Sequence, residues 1–86
     1  MKINMIDRCG DFKQHTLYCT LEEIEAVLGP ANCQDDPDKV KYSWGFEVDG
    51  VRCGIWDYYQ SYKHDTWSVF GPREIVEQVF PGKTIE

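Results

Sequence analysis

The clearest pattern in the chain lies between residues 40 and 59, where apolar and polar residues alternate with a period of two around Asp49-Gly50. An Asp-Gly pair between two such runs is typical of a two-residue type I′ hairpin turn, in which both central residues need a positive φ. Counting outward from this turn pairs Val48 with Val51 and Gly45 with Gly54. One face of the hairpin is then the expected core face, and its residues are Val40, Tyr42, Trp44, Phe46, Val48, Val51, Cys53, Ile55 and Tyr59, with Asp57 as the polar exception.

The opposite face of the hairpin, called the second face below, carries the remaining side chains because residues alternate between the faces of a strand. These residues are Lys41, Ser43, Gly45, Glu47, Arg52, Gly54, Trp56 and Tyr58. Because Gly45 lies opposite Gly54, this face has a notch without side chains. Glycine weakens a strand, so a facing pair indicates that another group packs closely there. Two interpretations stay open: Trp56 or another segment covers the notch, or the second face is a recognition surface with aromatic and arginine anchors.

Two short helices follow from capping signals and apolar spacing. Thr20 and Glu23 form a capping-box pattern, and Gly29-Pro30 is a stop signal, so the first helix is predicted from Thr20 to Leu28. Gly71-Pro72 is predicted to open the second helix, with proline at the first helical position. The expected apolar stripes are Leu21, Ile24, Val27 and Leu28 in the first helix and Ile75, Val76, Val79 and Phe80 in the second.

The rest of the chain predicts further strands and loops. A weak first strand covers Ile3 to Ile6, His15 to Cys19 is a plausible edge strand, and Thr66 to Phe70 is a third strand beside the hairpin. Residues 83–86 are expected to be a frayed tail. The predicted fold is one α+β domain over residues 1–86, with a three- to four-stranded antiparallel sheet, a central Asp-Gly hairpin and two helices on one face in the order β-α-β-β-β-α.

Charge narrows the classes of partner. The 86 residues carry a formal net charge of −6, which disfavours nucleic acids and anionic membranes. No apolar run is long enough to span a membrane and no signal peptide is visible, so we expect a cytoplasmic protein with reduced cysteines. The acidic residues Asp35, Asp36 and Asp38 indicate a solvated turn, although an acidic chain also suits docking on a basic surface of a partner.

Catalytic and metal-binding patterns do not emerge. The two histidines, His15 and His64, cannot be placed beside a particular cysteine, and the four cysteines contain no C-x-x-C pair. No glycine-rich phosphate loop opens a helix, although Gly71 and Arg73 could hold an anion at the start of the second helix. We therefore expect no enzyme activity, no metal and no cofactor. An unpaired edge of the third strand leaves a homodimer open.

Three short motifs carry a resemblance: Trp44-x-Phe46-x-x-Asp49-Gly50, Ile55-Trp56-Asp57-Tyr58 and Trp67-x-Val69-x-Gly71. Together they resemble a pattern in small, mostly uncharacterised phage-encoded proteins. The resemblance implies a role against host immunity in the cytosol of the host cell, and it assigns no functional residue.

Two functional hypotheses result. The first is a non-enzymatic protein that binds and blocks a host defence protein, CRISPR-like or otherwise immune. The alternative is an oligomeric sponge that sequesters a nucleotide immune signal. The binding residues expected for these roles are Lys41, Glu47, Arg52, Trp56, Tyr58, Asp35, Asp36, Asp38 and Arg73.

Overall fold

The computed structural model describes residues 2–7, 10, 12–33, 40–58 and 65–86, leaving aside the side chains of residues 40, 41 and 58. Its elements are β1 (Ile3–Met5), β2 (His15–Tyr18), α1 (Leu21–Leu28), β3 (Val40–Val48), β4 (Val51–Tyr58), β5 (Thr66–Phe70), α2 (Arg73–Val79) and β6 (Thr84–Ile85). The strands form one antiparallel sheet in the order β1-β3-β4-β5-β2-β6. The α+β class and the antiparallel sheet are as predicted, but the sheet has six strands rather than three or four.

Strands β3 and β4 are joined by Asp49 and Gly50, whose φ angles are 49° and 86°. Val48 pairs with Val51, and Gly45 pairs with Gly54. The register shifts between Val40 and Tyr42, so that Val40 lies opposite Tyr58 instead of Tyr59. Val51 was expected in the core, but it is 37% exposed because it directly follows the turn.

The structure corrects three expectations about the edges of the sheet. The expected frayed tail contains β6, in which Ile85 is buried and pairs with Leu17, and Thr16 and Glu86 exchange backbone hydrogen bonds of 2.7 and 2.8 Å. Consequently β2 is an interior strand between β5 and β6. Strand β5, the predicted third strand, lies between β4 and β2, so its edge is not open to a second copy. A single apolar residue near the end of the chain is too short a pattern to reveal such pairing.

Helix α1 is held at both ends. The Thr20 hydroxyl accepts from the Glu23 backbone N–H at 3.2 Å, and the Thr20 N–H donates to the Glu23 carboxylate at 3.0 Å, so the predicted capping box is present. The indole of Trp67 donates to the Cys19 carbonyl before the helix, and that of Trp44 donates to the Gly29 carbonyl after it, both at 2.9 Å. Two core tryptophans thus fasten the ends of the helix to the sheet.

Both helices contribute to one hydrophobic core on the core face of the sheet. Its buried residues are Leu17, Cys19, Ile24, Leu28, Trp44, Phe46, Val48, Cys53, Ile55, Trp67, Val69, Val76, Val79, Phe80 and Ile85. Val27 differs from the predicted stripe because it is 43% exposed on α1. Helix α2 begins one residue later than expected, with Pro72 as its N-cap instead of its first helical residue.

The chain crosses the sheet between β1 and β2, since three strands separate them. Four inter-strand spacings amount to about 19 Å, which nine extended residues can span. We call residues 6–14 the crossing segment. At its start, the Ile6 N–H donates a hydrogen bond to the Gly45 carbonyl, and at its end the Gln14 N–H donates to the Val69 carbonyl. Between these ends, Gly10 lies against the side chains of Trp56 and Phe70, which places the segment over the second face.

Candidate functional site

The glycine notch is closed on the side of β3 that faces β1. The Gly45 N–H donates to the Asn32 side-chain oxygen at 3.0 Å, and the Gly45 carbonyl accepts from Ile6 N–H at 3.0 Å and from the Asn32 amide at 3.1 Å. The same Asn32 amide donates to the Ile6 carbonyl at 2.8 Å. The Asn32 amide thereby makes the hydrogen bonds with Gly45 that a neighbouring strand would make, and it lies next to the end of β1 at Ile6.

The crossing segment covers the second face beside this notch. A Cβ on residue 10 would overlap the Phe70 side chain and lie 2.9 Å from Cζ3 of Trp56, so the close approach requires glycine. Trp56 is only 5% exposed, and Gly45 and Gly54 are both buried. Of the two interpretations, coverage by a segment of the same chain is the one observed around Trp56.

The predicted binding residues have different places in the structure. Trp56 is buried, so it offers a partner little surface. Glu47 and Arg52 lie directly opposite each other and are both half-buried. The side chains of Lys41 and Tyr58, together with Asp35, Asp36 and Asp38, lie outside the described part of the chain.

Arg73 and Gly71, which the sequence suggested could hold an anion, both have contacts within the chain. Arg73 lies on α2 and pairs with Glu77 at 3.0 Å across one helical turn. The Gly71 N–H, which was expected to face a ligand, donates instead to the side-chain oxygen of Gln14 at 2.8 Å. Helix α2 has only seven residues and no side-chain cap.

An open depression lies at the end of the sheet where β4 and β2 begin and β5 ends. Its volume is about 470 Å³, and its lining residues are Gln14, His15, Val51, Arg52, Phe70, Gly71 and Pro72. We call it the Arg52 depression. Because most of these residues belong to strands or to the turn before α2, the backbone of the sheet sets the shape of the site.

Aromatic and cationic groups stack along the rim of the Arg52 depression. The guanidinium carbon of Arg52 lies 5.0 Å from the ring centroid of Phe70, which is the geometry of a cation–π contact. Phe12 meets the same Phe70 ring edge-to-face, with centroids 5.4 Å apart. Phe12 is nevertheless 59% exposed, the largest exposed fraction among the large hydrophobic side chains that the structure describes.

Phe12, Phe70, Gln14 and His15 were not among the binding residues predicted from the sequence. The crossing segment has no periodic pattern, and Phe70 was read only as the end of a strand. Their proximity results from the non-local pairing of β2 with β5, in which His15 lies opposite Val69. An aromatic residue in a glycine-containing segment was the one available signal, and it does not identify a partner by itself.

The buried thiols of Cys19 and Cys53 are poorly suited to nucleophilic chemistry. Burial raises the pKa of Cys53 to about 11, and burial is also the main cause that raises the pKa of Cys19 to about 11. Both cysteines are therefore thiols rather than thiolates at neutral pH. Among the described residues, no group of three or more His, Cys, Asp or Glu side chains is arranged to hold a metal ion.

The helices of the described chain are also too short and polar to cross a membrane. Comparisons of the chain with protein-family models, with curated proteins and with solved structures found no match.

Proposed function

We propose that this protein is a non-enzymatic binding protein whose contact surface is the Arg52 depression together with Phe12. The observation that carries the proposal is the stack of Arg52, Phe70 and exposed Phe12 on a rigid sheet end. Aromatic residues and arginine are enriched at protein interfaces, and aromatic side chains provide a large contact area with few rotatable bonds. An exposed phenylalanine held by a second aromatic ring fits this description.

The partner we propose is a host defence protein that is blocked by this contact. The class of partner rests on the resemblance of the hairpin motifs to small phage-encoded proteins. The net charge of −6 supports the proposal in a general way, because an acidic protein is attracted to the basic surfaces of nucleic-acid-binding effectors. The acidic residues Asp35, Asp36 and Asp38 would contribute to that attraction from outside the described part of the chain.

The proposed role is passive blocking rather than catalysis. The buried thiols of Cys19 and Cys53 are protonated at neutral pH. The Arg52 depression contains an imidazole, His15, but neither a thiol nor a hydroxyl nucleophile among its lining residues. Both observations support a site that holds a partner without transforming it.

Partner capture from host-cell lysate, followed by native mass spectrometry, tests the proposal. We expect Phe12→Ala and Arg52→Ala to lower the captured amount of a host protein at least about tenfold, the effect of a typical hot spot. The matched control is Val27→Ala, which removes a similarly exposed apolar side chain from α1. Trp56→Ala is not a clean test, because Trp56 is buried and its loss would disturb the fold.

Unchanged capture by both Phe12→Ala and Arg52→Ala, in folded protein, would contradict the proposed surface. Charge reversal of Asp35, Asp36 and Asp38 in the same assay separates the acidic contribution from the depression. Loss of capture through the acidic residues alone would move the interface to that segment.

A nucleotide sponge is the second candidate function. It is favoured by Arg52 and His15 lining a depression of about 470 Å³, since small-molecule sites usually span about 300–1,000 Å³. The test is a thermal-shift screen with mono- and dinucleotides combined with the measured oligomeric state. A monomer without any nucleotide-dependent shift would remove this candidate.

A further inference from the structure

We infer that the Arg52 depression receives a single carboxylate of the protein partner together with a neighbouring apolar side chain. This inference rests on the proposed binding function and adds the chemistry of the group that the site accepts. It follows from the charges, the apolar surface and the donors that the described residues bring together at the depression.

The charge of the depression is opposite to that of the protein as a whole. The chain has 15 acidic and 9 basic residues. Among the described residues that line the depression, however, the ionisable side chains are Arg52 and His15, and none is a carboxylate. A locally basic concavity on an acidic protein selects an anionic group from a partner and disfavours cationic ones, because complementary charges across an interface determine specificity.

The apolar lining limits what can accompany the anion. Val51, Phe70 and Pro72 form part of the wall, and Phe70 is already in contact with Phe12 at the rim. These side chains leave apolar surface that a partner can cover, and Val51 is 37% exposed. A carboxylate alone would leave this surface in water, whereas a neighbouring apolar side chain would bury it.

A carboxylate fits the available cation better than a phosphate does. The planar guanidinium of Arg52 matches the two oxygens of a carboxylate, and its contact with Phe70 limits its rotation. A phosphate dianion would need more positive charge than one guanidinium provides. The nearby helix cannot supply it, since α2 has seven residues and the Gly71 N–H before it already donates to Gln14.

Interactions of Arg52 inside the chain do not prevent this role. Arg52 has a further interaction within the chain, and Glu47 lies opposite it on β3. A guanidinium has five N–H donors, so it can serve an internal partner and an incoming carboxylate together. Glu47 competes electrostatically with the incoming carboxylate, and neutralising Glu47 is therefore expected to strengthen binding.

The experiment is a titration of the ¹⁵N-labelled full chain, followed by amide and guanidinium NMR shifts. The probes are acetyl-Phe-Asp-amide, its neutral isostere acetyl-Phe-Asn-amide, and acetyl-Gly-Asp-amide, which lacks the apolar side chain. We expect acetyl-Phe-Asp-amide to shift the signals of Arg52 and Gly71. The other two peptides should bind at least about fivefold more weakly, which corresponds to the loss of one modest contact.

Variants assign the effect to the depression. Arg52→Gln is expected to abolish the preference for aspartate over asparagine, and Glu47→Gln is expected to strengthen binding of acetyl-Phe-Asp-amide about threefold. Lys83→Gln is the charge-matched control, because it also removes one positive charge but from a lysine that pairs with Glu23 on α1. It should leave the titration unchanged.

Equal binding of the aspartate and asparagine peptides, or no shift at about 20 mM peptide, where even a Kd well above 1 mM would be visible, overturns the inference. Stronger binding of AMP than of acetyl-Phe-Asp-amide at the same signals also overturns it, in favour of a nucleotide. The proposed function is tested separately: capture that depends on Phe12 without any aspartate preference keeps the binding surface but rejects the carboxylate. Aspartate preference without capture rejects the proposed partner and keeps the site.

Discussion

The two faces of the sheet are covered in different ways. On the core face, α1 and α2 place apolar side chains against a continuous layer of large residues, including Trp44, which has no exposed surface. On the second face, the described residues of the crossing segment (6, 7, 10 and 12–14) lie in no helix or strand, and they contact the sheet through Ile6, Gly10, Phe12 and Gln14.

This difference separates the face that stabilises the fold from the face that carries the proposed contact surface. Helices on an apolar face bury a large area, and two indole hydrogen bonds fix the ends of α1 to the sheet. The crossing segment instead depends on a few backbone contacts and one glycine, and it exposes Phe12 beside the Arg52 depression. We therefore expect substitutions on the core face to lower global stability, and substitutions under the crossing segment to act more locally.

The largest effect is expected for Trp44→Ala on the core face. Truncating a fully buried tryptophan costs about 3–5 kcal/mol, and the variant also loses the hydrogen bond to the Gly29 carbonyl. Urea unfolding measures this loss, with Val27→Ala on exposed α1 surface as the control expected within about 0.5 kcal/mol of the wild type. A loss below about 1 kcal/mol would show that the core face does not dominate stability.

A smaller effect is expected for Gly10→Ala on the second face. The added methyl group would overlap Phe70, and overpacking of this kind costs about 1–3 kcal/mol. Because the described residues of the segment lie in no helix, we expect the segment to lift from the sheet, so that amide exchange accelerates around Trp56 while the core amides of α1 remain protected. Lys13→Ala, on the exposed part of the same segment, is the control. Equal acceleration across α1 would contradict the separation of the two faces.

Asn32→Ala tests the contact that joins β1 to β3. It removes three hydrogen bonds of the side chain, to Ile6 and to both backbone groups of Gly45. The site is partly buried and water can replace some of these bonds, so we expect a loss of about 1–2 kcal/mol in urea unfolding. Amide exchange of Ile6 should accelerate as well. Unaltered exchange at Ile6 would mean that the Asn32 amide does not hold the start of the crossing segment.

The smallest effect is a pH dependence of the free energy of unfolding, and it is absent at neutral pH. It comes from the buried thiol of Cys53, whose pKa is about 11 in the folded protein. The thiol has a pKa of about 8.5 when unfolded, so the unfolded state loses its proton first as the pH rises. The contribution to stability is complete below pH 8.5 and disappears as the pH rises towards 11. Urea unfolding between pH 7 and 11 should show a steeper decline for wild type than for Cys53→Ala, and parallel declines would contradict this assignment.

Local features of the sequence determined much of the secondary structure. Thr20, Glu23 and Gly29 mark the ends of α1 within one turn, because capping depends on residues three or four positions apart. From Tyr42 to Asp57, β3 and β4 pair in the register that is counted outward from Asp49 and Gly50, both of which have positive φ. The sequence left open, by contrast, whether the notch is covered or the second face is a recognition surface.

Tertiary structure alone decided the edges of the sheet, the crossing segment and the Arg52 depression. Strand β6 contains two residues, and its position depends on β2, which is more than sixty residues earlier in the chain. Phe12, Arg52 and Phe70 come together only after β2 has paired with β5 and β5 with β4. Local spacing specifies turns and caps because they close over a few residues, whereas contacts between distant segments depend on which surfaces remain to be buried once those local elements have formed.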